Sequence, residues 1–165
     1  MFLKNYTSNV PVPQTIHRIE QTLIRCGVSG IAKEYVGTAG ILRALIFKLE
    51  GQPPVQVRLP ADVDAAQQAL WLDYANGEKL TDDGMRIRWN NRKKLTKADF
   101  RAQAERTAWR IVQDWVEVQM SMIQLKQAAP LEVFLPYVWN GSRTFYDALK
   151  ANGFRAMLPE NSEAA

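Results

Sequence analysis

Cysteine and histidine are almost missing from this chain. Its 165 residues include one cysteine, Cys26, and one histidine, His17. A single cysteine excludes an internal disulfide, and one residue of each type cannot form a histidine-rich or thiolate metal site. His17 falls outside the apolar stripe of its predicted helix, which favours a solvated side chain over a general base. We therefore expect a protein that is not an enzyme, with no catalytic residues, no metal site and no cofactor.

Long apolar runs are missing as well. The most apolar stretch, residues 41–47, is interrupted by Arg43, whereas a membrane span needs about 18–20 apolar residues. The N-terminus turns polar after Leu3, which is too early for a secretory signal peptide. Together with the lone cysteine, these absences predict a cytoplasmic location and no contact with a membrane.

Phosphate-binding loops and acidic catalytic motifs are also lacking. Residues 27–30 and 37–40 match Gly-x-x-Gly, a spacing that some domains use to bind a nucleic-acid backbone, but neither stretch has a basic residue between its glycines. Glycines at such positions are typical of helix ends. Asp114 and Glu117 are one helical turn apart, yet no third ligand completes a cation site. The sequence therefore indicates a binding protein more than an enzyme.

Hydrophobic periodicity predicts the elements of the first half. After an extended lead-in over residues 1–13, apolar residues at three- and four-residue intervals predict a helix that Thr15 caps and Gly27 ends. The chain up to Gly37 is expected to be helical or irregular. Alternating residues around a Pro-Pro turn then predict a hairpin over about 40–59.

One long helix dominates the prediction for the second half. A helix is expected over residues 61–75, and alternating apolar and basic side chains predict a strand over about 85–89. A capping box of Thr96 and Asp99 begins a helix over about 97–127. This helix has two apolar stripes, which could be buried inside a monomer or in a homo-oligomer.

The last part of the chain has weaker signals. Residues 133–139 are apolar but include Pro136, so we expect an extended segment. Thr144 is expected to cap a final helix that continues to Lys150, and residues 159–165 to form a frayed tail. The fold class predicted from these elements is α+β, a single domain over 1–165 with a small antiparallel sheet packed by helices.

Charge is distributed unevenly along the chain. Segment 84–110 has nine basic and two acidic residues, a net charge of +7, while the other 138 residues carry −3. Trp89 lies among these cations, and single-stranded nucleic acid binds such surfaces by phosphate contacts and by stacking worth about 1–3 kcal/mol per base. The candidate nucleic-acid-binding residues are Arg86, Arg88, Trp89, Arg92, Lys93, Lys94, Lys97 and Arg101.

The same segment has two other interpretations. The chain has five tryptophans, and tryptophan and arginine are frequent in protein interfaces, so a protein partner is the first of these. Trp139, before an Asn-Gly turn, is expected at an exposed turn tip. The second is that the basic run is a solvated surface without a partner. No base-reading motif is present, so nucleic-acid binding is expected to be independent of sequence and sensitive to salt.

Residues 104–119 (AERTAWRIVQDWVEVQ) and 133–137 (VFLPY) carry a resemblance to other proteins. They resemble a group of small uncharacterised proteins encoded by phages and mobile elements, and residues 5–8 and 15–20 are similar to the same group. The resemblance implies a genomic setting and transfers no activity and no site residues. It implies handling of phage or element DNA, or binding of a host defence protein. We therefore expect a non-catalytic accessory protein that binds nucleic acid, DNA or RNA, with an inhibitor of a host factor as the alternative.

Overall fold

The computed structural model describes residues 3–50, 53–76 and 95–155. These residues form three strands, five α-helices and two short 3-10 turns, so the predicted α+β class is confirmed. In chain order the elements are α1 Val12–Arg25, β1 Ser29–Val36, β2 Ile41–Leu49, β3 Val55–Pro60, α2 Val63–Ala75, a 3-10 turn Lys97–Phe100, α3 Arg101–Gln124, α4 Pro130–Phe134, a 3-10 turn Leu135–Tyr137 and α5 Phe145–Ala151.

The sheet is antiparallel, with β2 in the centre between β1 and β3. Strands β2 and β3 form the hairpin that the alternating pattern predicted, with Phe47 opposite Val57 and Leu45 opposite Leu59. These four side chains are buried. Because successive residues of a strand point to opposite faces, they define the inner face of the sheet, and Ile46 and Arg58 lie on the outer face.

Strand β1 corrects the prediction for the residues before Gly37. Those residues were expected to be helical or irregular, but they pair with β2 along its free edge. Most side chains of β1 are exposed, so the strand has no buried face to impose an apolar period. Backbone pairing with β2 therefore determines its conformation. Gly30, with φ of +60°, lies where the register between the two strands shifts.

The core lies between the inner face of the sheet and the helices. The Phe47 ring meets Phe134 edge-on at 5.3 Å, and Phe134 meets Trp115 of α3 at 5.7 Å. Trp109 of α3 is 1% exposed, and burying one such side chain contributes on the order of 2 kcal/mol. The other residues buried in this cluster include Ile16, Ile19, Leu23, Leu45, Val57, Val116 and Met120.

Helix α1 differs from its prediction at the start and agrees with it at the end. The helix begins at Val12, inside the predicted extended lead-in over residues 1–13, and residues 4–7 of that lead-in form a turn and are not extended. Pro13 lies in the first turn of the helix, where no backbone N–H is needed, so the helix can begin before it. Thr15 is therefore buried inside the helix and does not cap it. Gly27 follows the helix with φ of +81°, as predicted.

Helix α2 begins at Val63, two residues later than predicted, and the start of the long helix agrees with its predicted capping box. The Asp62 carboxylate accepts a hydrogen bond from the Ala65 backbone N–H at 2.8 Å and caps α2. The Thr96 N–H donates to Asp99 Oδ2 at 2.7 Å, which confirms the capping box. The long helix is confirmed, although it begins with a 3-10 turn and ends at Gln124. The strand predicted over about 85–89 lies outside the described residues.

The C-terminal part is more helical than predicted. Residues 133–139 were expected to be extended, but α4 and a 3-10 turn continue to Tyr137. Pro136 occupies the first turn of that 3-10 helix, where a missing N–H costs no hydrogen bond. Thr144 caps α5, as predicted, by accepting a hydrogen bond from the Asp147 N–H at 3.2 Å. The predicted frayed tail, residues 159–165, lies outside the described residues.

Candidate nucleic-acid interface

The residues predicted to bind nucleic acid are divided between the described and undescribed parts of the chain. Lys97 and Arg101 lie where the 3-10 turn leads into α3. The other six lie outside the described residues; they are Arg86, Arg88, Trp89, Arg92, Lys93 and Lys94.

Lys97 and Arg101 connect the start of α3 to α2. Arg101 donates from Nη1 to Asp64 Oδ1 at 2.5 Å, and its Nε lies 3.5 Å from Glu105 Oε1. Lys97 donates from Nζ to the side-chain oxygen of Gln68. The hydrogen bond from Arg101 holds the pKa of Asp64 below its ordinary value. Two carboxylates thus offset the charge of Arg101, and less of it remains for a phosphate.

Of two further basic residues of segment 84–110, Arg106 contacts the N-terminal lead-in and Arg110 pairs with Asp114 on its own helix. Arg106 donates from Nε to a backbone carbonyl of the lead-in at 3.1 Å, and Arg110 Nε lies 3.4 Å from Asp114 Oδ1. Asp114 also pairs with Lys4 at 2.8 Å and accepts a hydrogen bond from Asn5 at 2.9 Å. Burial alone would raise the pKa of Asp114, but the hydrogen bonds from Lys4 and Asn5 outweigh it and lower the pKa.

The described residues on either side of 77–94 lie beside one aromatic group. Helix α2 ends at Ala75, and the Leu95 N–H donates to the Tyr74 hydroxyl at 3.2 Å. The Tyr74 ring lies 5.3 Å from Phe100 and 5.8 Å from Trp71. Tyr74 and Leu95 therefore both belong to the packed junction between α2 and the start of α3.

A second basic surface lies on the outer face of the sheet, and the sequence analysis did not find it. We call it the outer groove; it is open and has a volume of about 540 Å³. Four basic side chains, two acidic ones and one tryptophan line it: Lys33, Arg43, Arg58, Arg143, Glu34, Asp147 and Trp139.

A β-bulge in β2 places Arg43 at the outer groove. Glu34 of β1 is opposite Ala44 and Tyr35 is opposite Leu42, so Arg43 is an extra residue in β2. Such a bulge turns the extra side chain out of the regular alternation. The signal in the sequence was the one charge in an apolar run, but periodicity alone does not show where that side chain points.

Trp139 reaches the outer groove because its backbone extends the sheet. Its N–H donates to the Gln56 carbonyl of β3 at 2.8 Å, and it forms a bridge with Thr144 across a tight turn. In that turn the Asn140 side-chain oxygen accepts hydrogen bonds from two backbone N–H groups, one of them from Arg143, at 3.0 Å each. The predicted turn at this position is present, and Trp139 in it is half-buried.

The charges in the outer groove are not all neutralised. Arg58 donates from Nε and Nη2 to the two oxygens of Glu34 at 2.8 and 2.9 Å. These hydrogen bonds hold the pKa of Glu34 below its ordinary value. Among the described residues, the side chains of Arg43 and Arg143 have no hydrogen-bond or ion-pair partner. The groove therefore presents two arginines to solvent beside a tryptophan.

Residues 3–50, 53–76 and 95–155 contain neither a metal-ligand cluster nor a membrane-spanning helix. No three histidine, cysteine, aspartate or glutamate side chains there come together as a metal ion would require. Glu117 accepts a hydrogen bond from Gln113 at 2.6 Å and does not join Asp114 at a common point. Nor does any helix of these ranges have the length and apolar character to cross a membrane.

The fold is thus a small α+β protein with a three-stranded antiparallel sheet, helices on its inner face and a basic groove on its outer face. No family model, curated protein or solved structure matches the chain.

Proposed function

We propose that this protein binds single-stranded nucleic acid, without sequence specificity, through the basic segment 84–110. The observation that carries the proposal is the concentration of charge, +7 in 27 residues of a chain whose total is +4. Polyphosphate binding depends on such local charge, because each neutralised phosphate releases counterions.

The described contacts narrow the residues that would meet phosphates. Lys97, Arg101, Arg106 and Arg110 are already hydrogen-bonded within the fold. We assign them mainly to holding α3 in place. Five basic residues then remain to contact phosphates, and Trp89 remains to stack on a nucleobase. The five are Arg86, Arg88, Arg92, Lys93 and Lys94.

A charge-reversal variant tests this assignment. Replacing Arg92, Lys93 and Lys94 by glutamate should weaken binding more than 100-fold at about 50 mM salt, because three attractive contacts become repulsive. Fluorescence anisotropy of a labelled strand of about 30 nucleotides, repeated over a salt series, measures the affinity and its salt dependence.

In the matched control, three exposed basic residues outside the segment are replaced by glutamate: Arg18, Arg25 and Lys126. It has the same net charge as the test variant, so a loss confined to the test variant assigns binding to the segment. Equal losses in both would mean that only total charge matters, and an unchanged affinity would contradict the proposal.

If the wild-type protein binds no single strand at low salt, an inhibitor of a host protein becomes the better proposal. One feature supports that alternative: Val118 and Leu125, on one stripe of α3, are 57% and 68% exposed. Apolar side chains exposed on a helix are common at protein interfaces. Recovery of one stoichiometric partner from nuclease-treated lysate would favour it.

A further inference from the structure

We propose that the outer groove is a second contact site for single-stranded nucleic acid, in which Arg43 and Arg143 bind phosphates and a base stacks on Trp139. This inference rests on the proposed function for the class of ligand. It uses different residues, all in the described part of the chain, on the outer face of the sheet beside the first turn of α5.

The charges that line the outer groove favour an anion. Glu34 is paired with Arg58 by two hydrogen bonds, and Lys33 is paired with Glu20 at 2.9 Å. Asp147 accepts a hydrogen bond from the neutral Thr144 hydroxyl at 2.7 Å and keeps its negative charge, so two unpaired arginines face one carboxylate and the lining retains a net charge of +1. Arg43 and Arg143 are left without partners among the described residues. A guanidinium group matches two phosphate oxygens at once, so arginines suit a sugar–phosphate backbone.

Trp139 has the placement of a stacking platform. Its backbone is fixed to β3, but its ring is not a member of the hydrophobic core cluster, which takes in Trp109, Trp71 and Trp115. It lines the outer groove and also a neighbouring groove of about 410 Å³, whose wall includes Lys48. In proteins that bind single strands, an aromatic ring stacks on a nucleobase while neighbouring cations contact the phosphates, and Trp139 has cations on both sides.

The test removes two charges from the groove and compares them with two removed elsewhere. The groove variant is Arg43→Gln with Arg143→Gln, and the matched control is Arg18→Gln with Arg25→Gln on α1. At about 0.1 M salt we expect the groove variant to bind the 30-nucleotide strand about 20-fold more weakly, with a salt slope smaller by about 1.4, and the control to resemble wild type.

A third variant and a cross-link test the stacking contact. Trp139→Leu should weaken binding about tenfold, since it removes one base stack. Irradiation of a strand that contains 5-bromodeoxyuridine, followed by peptide mass mapping, should label Trp139. Circular dichroism of each variant confirms that the fold is retained, and the cross-link on the wild-type chain does not depend on any variant folding.

The outcomes separate this inference from the proposed function. Normal binding by the groove variant, with no label on Trp139, overturns the inference and leaves binding by segment 84–110 intact. Loss in the groove variant together with full binding by the variant of residues 92–94 upholds the groove and overturns the segment. Absence of any wild-type binding overturns both. Equal groove-dependent binding of polyglutamate would assign the groove to an acidic protein and overturn the inference as well.

Discussion

One carboxylate, Asp114, binds residues from two separate parts of the chain. It holds Lys4 and Asn5 from the N-terminal lead-in and also lies near Arg110 of its own helix. Asn5 itself has a positive φ of 62°, a left-handed conformation that asparagine adopts more readily than most residues other than glycine. The carboxylate therefore holds the turn at Asn5 against α3.

Replacing Asp114 by alanine should destabilise the protein by about 1–2 kcal/mol, because charge-assisted hydrogen bonds are lost from a half-buried site. The effect should be greatest in the lead-in. Urea unfolding measures the global loss, and amide hydrogen exchange of residues 3–8 measures the local one. Ser121→Ala, on an exposed position of the same helix, is the control; equal effects of the two substitutions would contradict this role of Asp114.

Among the elements, α5 depends most on its cap. It has only seven residues, too few for a helix to be stable in water by itself. Thr144 and Asp147 form its capping box, and Thr144 also pairs with Trp139 across the turn. Thr144 thus begins α5 with its side chain and closes, with its backbone, the turn that carries the tryptophan of the outer groove.

Thr144→Ala should cost about 1 kcal/mol, the usual contribution of an N-cap hydrogen bond. Its local sign should be faster hydrogen exchange in residues 145–151 and in the turn before them. Thr22→Ala is a suitable control, because the Thr22 hydroxyl donates only to the Arg18 carbonyl inside α1. If α5 kept its protection in the Thr144 variant, the cap would not be what stabilises it.

The whole molecule has a pH dependence that follows from its ion pairs. The pKa values of Glu34, Asp64, Asp114 and Asp147 are lowered from ordinary values of 4.5 for glutamate and 3.8 for aspartate. A carboxylate with a lowered pKa in the folded state stabilises that state at any pH above its unfolded value. The contribution is lost as the pH falls through the lower, folded pKa.

We therefore expect the free energy of unfolding to be level from about pH 7 to pH 5.5 and to fall below about pH 4.5. The double substitution Glu34→Gln and Asp114→Asn should lower stability at neutral pH and flatten the acid limb. Urea titrations from about pH 7 to pH 3 test this. Glu50→Gln, an exposed glutamate that accepts a hydrogen bond from Ser29, is the control. An acid limb of unchanged slope in the double variant would show that other groups cause it.

The sequence by itself determined the elements whose signals are local. The long helix, the capping box at Thr96, the cap at Thr144 and the β2–β3 hairpin depend on residues a few positions apart, so periodicity and capping chemistry predicted them. Strand β1 and the helical turns around Pro136 were predicted wrongly. Their conformations follow from pairing and packing with distant residues, which leave no period in the sequence.

The candidate sites divide along the same line. A run of basic residues can be counted in a sequence, and segment 84–110 was found that way. Only the tertiary structure decided that Arg101 faces Asp64 of α2 and that Arg106 binds the N-terminal lead-in. Only the tertiary structure placed Arg43 and Arg143, a hundred positions apart in the sequence, in the lining of one groove. Charge is a property of composition, whereas its neutralisation depends on which residues the fold places within a few ångströms of each other.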